Sequence, residues 1–89
     1  MKADREQITR LLKTAQGQLA GILKMVEEDR YCVDISNQLM ATQSILSRAN
    51  AEVLKAHVSH CVRDAVESGD AEGKLEEISA ILDKLARRS

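Results

Sequence analysis

Between Tyr31 and Cys61 this 89-residue chain contains neither glycine nor proline. Ile35, Leu39, Thr42, Leu46, Ala49, Val53 and Ala56 recur there at steps of three and four, which predicts one long, unbroken helix. Both cysteines and both histidines of the protein lie on it. At a rise of about 1.5 Å per residue, Cys32 and His57 stand roughly 37 Å apart on such a rod and cannot meet within one chain. His57 and Cys61, four residues apart, share a face and can aim at one ion. A centre that uses all three must take Cys32 from a second copy whose long helix runs antiparallel to the first. The spacing therefore predicts an oligomer.

Length points the same way. A chain of 89 residues reads as one domain, residues 1–89, burying only a little over about 60% of its unfolded surface, and self-association is the usual remedy. Phe, Trp and Pro are absent and Tyr occurs once, so the core is built from Leu, Ile, Val, Ala and Met in an all-helical chain. No apolar run approaches the roughly 20 residues of a membrane span, and no signal-peptide pattern opens the sequence. The expected location is cytoplasmic, with no membrane partner. In that reducing compartment the two cysteines are expected as ligands or redox-active thiols, not as a structural disulfide. The net charge of -1 weighs against a strong nucleic-acid binder. Its distribution matters more: Lys2, Arg5, Arg10, Lys13 and Lys24 face only Asp4 and Glu6 in the first 24 residues. An oligomer that gathers several such segments on one surface presents a positive face. The sequence holds no nucleophile–base pair, phosphate-binding glycine loop or paired carboxylates, so it does not read as an enzyme.

Along the chain, Asp4 and Gln7 resemble a capping box, and Ile8, Leu11, Leu12, Ala15, Leu19, Ile22, Leu23 and Val26 form a helical stripe, giving a first helix over 5–28. Gly17 and Gly21 inside it suggest close helix packing or, alternatively, close approach to a nucleic-acid backbone. A charged link follows, then the long helix over 32–66, whose first turn holds Cys32 and Asp34 where the helix dipole favours anions. Ser68-Gly69-Asp70 reads as a stop and a new start. The last helix, 71–87, carries Leu75, Ile78, Ile81, Leu82 and Leu85 on a narrow face.

Cys32, His57 and Cys61 offer two soft thiolates and an imidazole. Soft sulfur at low coordination number selects Cu(I), whereas zinc normally requires a fourth ligand and nickel prefers more nitrogen or oxygen donors, so three ligands point to trigonal Cu(I). Each cysteine taken alone also fits a small buried hydrophobe. His60, about 300° around the helix from His57, reads as a bystander, and Met25 and Met40 as core.

The run Arg30-Tyr31-Cys32-Val33-Asp34-Ile35, with His57-Val58 and Cys61 behind it and Gly17-Gln18-Leu19 ahead, resembles the CsoR-type copper-sensing repressors of the CsoR/RcnR family over nearly the whole chain. The resemblance implies an all-α, three-helix protomer with a long central helix, paired into an antiparallel dimer and assembled into a flat homotetramer. It implies Cu(I) held by Cys32 of one protomer with His57 and Cys61 of its partner. Tyr31 and Glu77 match positions that hydrogen-bond the far nitrogen of the metal-bound histidine. The apoprotein would hold operator DNA and repress copper-export genes, and Cu(I) would release it. DNA contact would fall to Arg10, Lys13 and Arg48, with Gln18 at a matching family position, through phosphates and groove shape. Leu11 departs from the arginine usual in relatives. Two alternatives stay open: a persulfide sensor bridging Cys32 and Cys61, and a helical Cu(I) buffer that binds no DNA. The nickel-sensing branch uses a donor near the N-terminus, and Ala3 has no neighbouring histidine.

Overall fold

Three helices make up the chain in the computed structural model, which describes residues 1–88: α1 (Arg5–Glu27), α2 (Cys32–Ser68) and α3 (Ala71–Arg88). Among the described residues there is no strand, and no helix is long and apolar enough to cross a membrane.

Each helix end has a local cause. Asp4 caps α1, its Oδ1 accepting the backbone N–H groups of Glu6 at 3.0 Å and Gln7 at 3.4 Å, an interaction worth about 1 kcal/mol. The helix stops at Glu27 in a Schellman motif: Arg30 N–H bonds the Met25 carbonyl, Asp29 N–H bonds that of Val26, and Asp29 takes a φ of 54°. That left-handed position usually selects glycine, and aspartate is among the few other residues that tolerate it. α2 runs to Ser68, two residues beyond the expected end at 66. Loss of hydrophobic periodicity does not end a helix; a left-handed residue does, and here it is Gly69, with φ 79° and its N–H on the Ala65 carbonyl. Asp70 then caps α3 by accepting the Gly73 N–H at 3.2 Å. A Cβ on Gly73 would lie 2.8 Å from the Asp70 carboxylate, so the glycine leaves room for the cap.

Contacts group the chain into two units, Asp4–Glu52 on the one hand and Met1–Ala3 with the chain from Val53 onward on the other. The first is a helical hairpin. Ile8, Ala15 and Ile22 of α1 are buried, as are Thr42 and Ala49 of α2, and Leu11, Gln18, Met25, Ile35 and Ile45 are half-buried beside them. Steps of seven on both helices make this a coiled-coil seam. Burial of each isoleucine contributes about 1.5–3 kcal/mol. The stripe expected on α1 thus splits in two. Its other half, Leu12, Leu19, Leu23 and Val26, is exposed, as are Leu39 and Leu46 of α2; Leu12, Leu19 and Leu46 line one shallow groove with Ala15 between them. Met40, expected in the core, is exposed. Gly17 and Gly21 have open space where a Cβ would stand. They lie roughly 180–220° around α1 from Ile8, so they serve no close packing inside the hairpin.

In the second unit α3 lies against α2 through the half-buried Ile78 and Ile81, while Leu75, Leu82 and Leu85 remain exposed. So thin an apolar strip leaves polar contacts to fix the register of α3.

Candidate metal centre

His57 and Cys61 sit one turn apart on α2, and their side chains converge, Cys61 Sγ lying 3.5 Å from His57 Nε2. From α3, Glu77 reaches the same place: its Oε1 is 2.6 Å from His57 Nε2. One nitrogen, one sulfur and one oxygen donor thus lie within 4.8 Å of one another, the one such grouping of three among the described residues. Cys61 is only 2% exposed, whereas His57 and Glu77 are half-open. An apolar cleft of about 580 Å³, walled by Val53, Leu54, Ala80 and Ile81, opens onto His57 and Glu77.

The protons of this group are placed by its surroundings. Burial pushes the Cys61 thiol up, and the hydrogen bond to Glu77 and the Glu77 charge push it the same way. Glu77 is held down chiefly by the hydrogen bond from His57 and next by that from Cys61. The carboxylate is therefore an anion that accepts from both. His57 Nε2 faces both Glu77 and Cys61; a neutral ring that gives its Nε2–H to Glu77 carries its lone pair on Nδ1.

The other expected ligand is not brought to this group. Cys32 is an exposed, free thiol in the first turn of α2, and Tyr31 before it is 67% exposed. His60 is exposed and outside the cluster. Arg10, Lys13 and Arg48 are exposed on the hairpin. Gln18 is half-buried and engaged: Thr42, the buried polar residue of the seam, donates its hydroxyl to Gln18 Oε1 at 2.8 Å. Leu11 is half-buried as well, so it belongs to the hairpin seam and not to the outer surface of α1. Sequence reasoning missed an ion pair beside the cluster, Lys74 Nζ to Asp64 Oδ2 at 2.9 Å. The only signal for it was spacing, Asp64 lying one turn beyond Cys61 and Lys74 one turn before Glu77.

A thiol, an imidazole and a carboxylate gathered in this way on an all-helical chain form a group that can hold a soft metal ion. The profile of the metal-sensitive transcriptional repressors matches residues 4–84, and the chain belongs to that family. The family's members regulate transcription; they are not enzymes. The chain is 42% identical over 84 residues to the copper-sensing transcriptional repressor CsoR of Bacillus subtilis, covering 94% of this chain and 83% of that one. It is 44% identical over 78 residues to the copper-sensing transcriptional repressor RicR of Mycobacterium tuberculosis, covering 85% and 81%. Among solved structures, the copper-sensing repressor CsoR with Cu(I) from Geobacillus thermodenitrificans matches with a TM-score of 0.81 and 38% identity, covering 91% of this chain and 84% of that one. The nickel-responsive transcriptional regulator InrS matches with a TM-score of 0.85 and 26% identity, covering 94% of each.

Proposed function

We propose that this protein is a copper(I)-responsive transcriptional repressor, which binds operator double-stranded DNA as the apoprotein and lets go of it when Cu(I) is bound, so that copper-efflux genes are expressed. The observation that carries the reading is the pairing of a buried Cys61 thiol with His57 on α2 while the only other thiol, Cys32, opens the same helix. Two thiolates and an imidazole, Cys32 of one protomer with His57 and Cys61 of the other, form the soft, low-coordinate donor set that fits Cu(I). Held by these residues, Cu(I) would tie two antiparallel copies together. Glu77 fixes the His57 ring through Nε2, and Tyr31, arriving beside the partner's Cys32, offers His57 a second hydrogen-bond partner. The named relatives that sense copper favour copper over nickel, as does the lack of further nitrogen donors near Ala3.

Assembly follows from the same geometry. The exposed leucines of the hairpin fit a second copy, and pairing of such dimers gives the flat homotetramer. For DNA, Arg10, Lys13 and Lys24 fall within roughly 140–200° of Ile8 around α1, on the side where Gly17 and Gly21 leave the backbone bare. A phosphate chain can approach closely between those cations. Arg48 on α2 adds a further phosphate contact, and Gln18 contributes where its amide leaves Thr42. A protein that works on operator DNA works in the cytoplasm.

If the metal lowers operator affinity by some factor, operator lowers metal affinity by the same factor, commonly through about 1–3 kcal/mol of coupling. A gel-shift titration on the DNA upstream of its own gene, with and without Cu(I), tests the reading. The apoprotein gives a sequence-selective, salt-sensitive shift that Cu(I) abolishes. Absence of any shift overturns the repressor and leaves a Cu(I) buffer. The two free thiols also fit a persulfide sensor, in which case polysulfide and not Cu(I) abolishes the shift and mass spectrometry finds an interprotomer Cys32–Cys61 sulfur bridge.

A further inference from the structure

Two polar rungs cross the seam between α3 and the part of α2 from Val53 onward. One is His57–Glu77; the other is Asp64–Lys74, at 2.9 Å. Asp64 follows Cys61 by three residues and Lys74 precedes Glu77 by three, so each lies one turn from the metal centre on a face that already meets its neighbour.

The polarity of this second rung runs against the helices that carry it. An acid near the C-terminal end of α2 and a base near the start of α3 both oppose the helix dipoles, which favour the reverse arrangement. The last turn of α2 has no base to offset this, and the first turn of α3 carries its own acid, Glu72. Helix stability does not select the observed order. Its effect is to hold an ammonium beside an anionic donor set. Among the charged groups that bear on Cys61, Glu77 and Asp64 are anions and Lys74 is the cation. The Lys74 charge is felt by Glu77 as well. With only 27% of its side chain exposed and its ammonium bonded to Asp64, Lys74 has little freedom to swing away.

We infer that Lys74, pinned by Asp64, is a specificity-determining residue of the metal centre, whose positive charge, offset only in part by the Asp64 carboxylate, favours a monovalent over a divalent cation. The inference rests on the reading of His57 and Cys61 as metal ligands. Coulomb repulsion scales with the charge of the incoming ion, so a divalent ion meets twice the penalty of a monovalent one at the same position. Both thiolates gain from a nearby cation whichever ion they bind, so that gain cancels in a comparison of metals. At about one helical turn, in a site partly open to water, the uncancelled charge unit corresponds to roughly a tenfold difference in affinity.

The test is competition of the full-length protein against a chelator of known Cu(I) affinity and, separately, against a chromophoric Zn(II) chelator. Wild type is compared with Lys74→Gln, which removes the charge, and Lys74→Arg, which keeps it and can still reach Asp64. The ratio of Zn(II) to Cu(I) affinity rises about tenfold in Lys74→Gln and stays within twofold of wild type in Lys74→Arg, which keeps the charge. A ratio unchanged in Lys74→Gln overturns the inference and leaves the ligand assignment standing. Equal changes in both variants also overturn it, because packing and not charge is then responsible. Wild type that fails to bind Cu(I) at all overturns the ligand assignment, and the inference with it.

Discussion

The proton on Cys61 links the buried end of the metal centre to pH. Burial and Glu77 hold the thiol above its ordinary value of 9.0, yet only the thiolate binds a soft metal, so metal uptake expels this proton. Apparent Cu(I) affinity therefore rises with pH across the neutral range, by up to about tenfold per pH unit for this one obligatory proton. Chelator competition between pH 6 and 8 measures the slope, which Glu77→Gln leaves in place because burial, the larger cause, still holds the thiol above that range. Folding stability has its own pH window. Glu77 and Asp64 lie below their ordinary 4.5 and 3.8, so their contributions are present above those values and fade as pH falls through the depressed ones. The raised thiol favours the folded state below 9.0 and loses that advantage as pH climbs above it; Lys74, raised from 10.5, does the same higher up. Urea unfolding is accordingly flat from about pH 5 to pH 8 and declines on either side. His57→Ala leaves two thiolates to hold Cu(I) but cuts Glu77 off from the metal. Gel shifts then show operator retained at Cu(I) levels that release the wild type, and full release in that variant contradicts the role given to His57. The i,i+4 spacing made His57–Cys61 legible from sequence. Asp64–Lys74 was not legible, because it depends on the register between two helices that no periodicity encodes.

At the level of the elements, the helices were legible and their ends only in part. Gly69 announced itself by residue type, but Asp29 did the same left-handed work under a charged side chain, and the sequence showed only a polar link there. This makes Asp29→Gly a clean test: φ is 54°, glycine adopts it without strain, and the unfolded chain's added freedom offsets part of the gain. The net change is stabilising by up to about 1 kcal/mol, whereas Asp29→Val, β-branched at a left-handed position, destabilises by about 1–2 kcal/mol. Thermal melts of the two variants check the opposite signs. The α1 stripe was legible as apolar but not as two-sided, since steps of three and four fit both a narrow seam and a broad face. Gly17 and Gly21 show what that ambiguity hid. With nothing within 4 Å of an added Cβ, Gly21→Ala raises helix stability by about 0.5–1 kcal/mol at no steric cost. Gly21→Leu is also tolerated by the fold. If DNA lies against this side of α1, the leucine variant loses operator affinity at least tenfold while keeping its Cu(I) affinity. A gel shift with undiminished affinity removes the bare backbone from the interface.

The whole molecule is left unfinished by its own chain. Among the described residues only Ile8, Ala15, Ile22, Thr42, Ala49 and Cys61 are buried, a meagre core for a chain whose composition is 44% hydrophobic. The deficit is concentrated: Leu12, Leu19, Leu39 and Leu46 are each between 43% and 47% exposed, and in an antiparallel hairpin they project to the same side. The proposed Cu(I) centre, with donors separated by 25 residues on one rod, calls for a second copy, and this exposed apolar side offers a surface for one. One interface that meets both needs makes a prediction neither need makes alone. Leu19→Glu places a charge on the exposed half of α1, where it costs the isolated hairpin little because water already reaches that position. In the assembly it buries an unpaired carboxylate, which costs several kcal/mol. Sedimentation then gives a wild-type mass that is a multiple of 9.8 kDa and a Leu19→Glu mass near that of one chain, with helical circular dichroism preserved. With Cu(I) shared across the interface as proposed, Cys32 from one copy and His57 and Cys61 from the other, the monomeric variant also loses high-affinity Cu(I) binding although every ligand is intact. A monomer that binds Cu(I) as tightly as wild type breaks the tie between assembly and metal, and a wild type that sediments as a single chain breaks it from the other side.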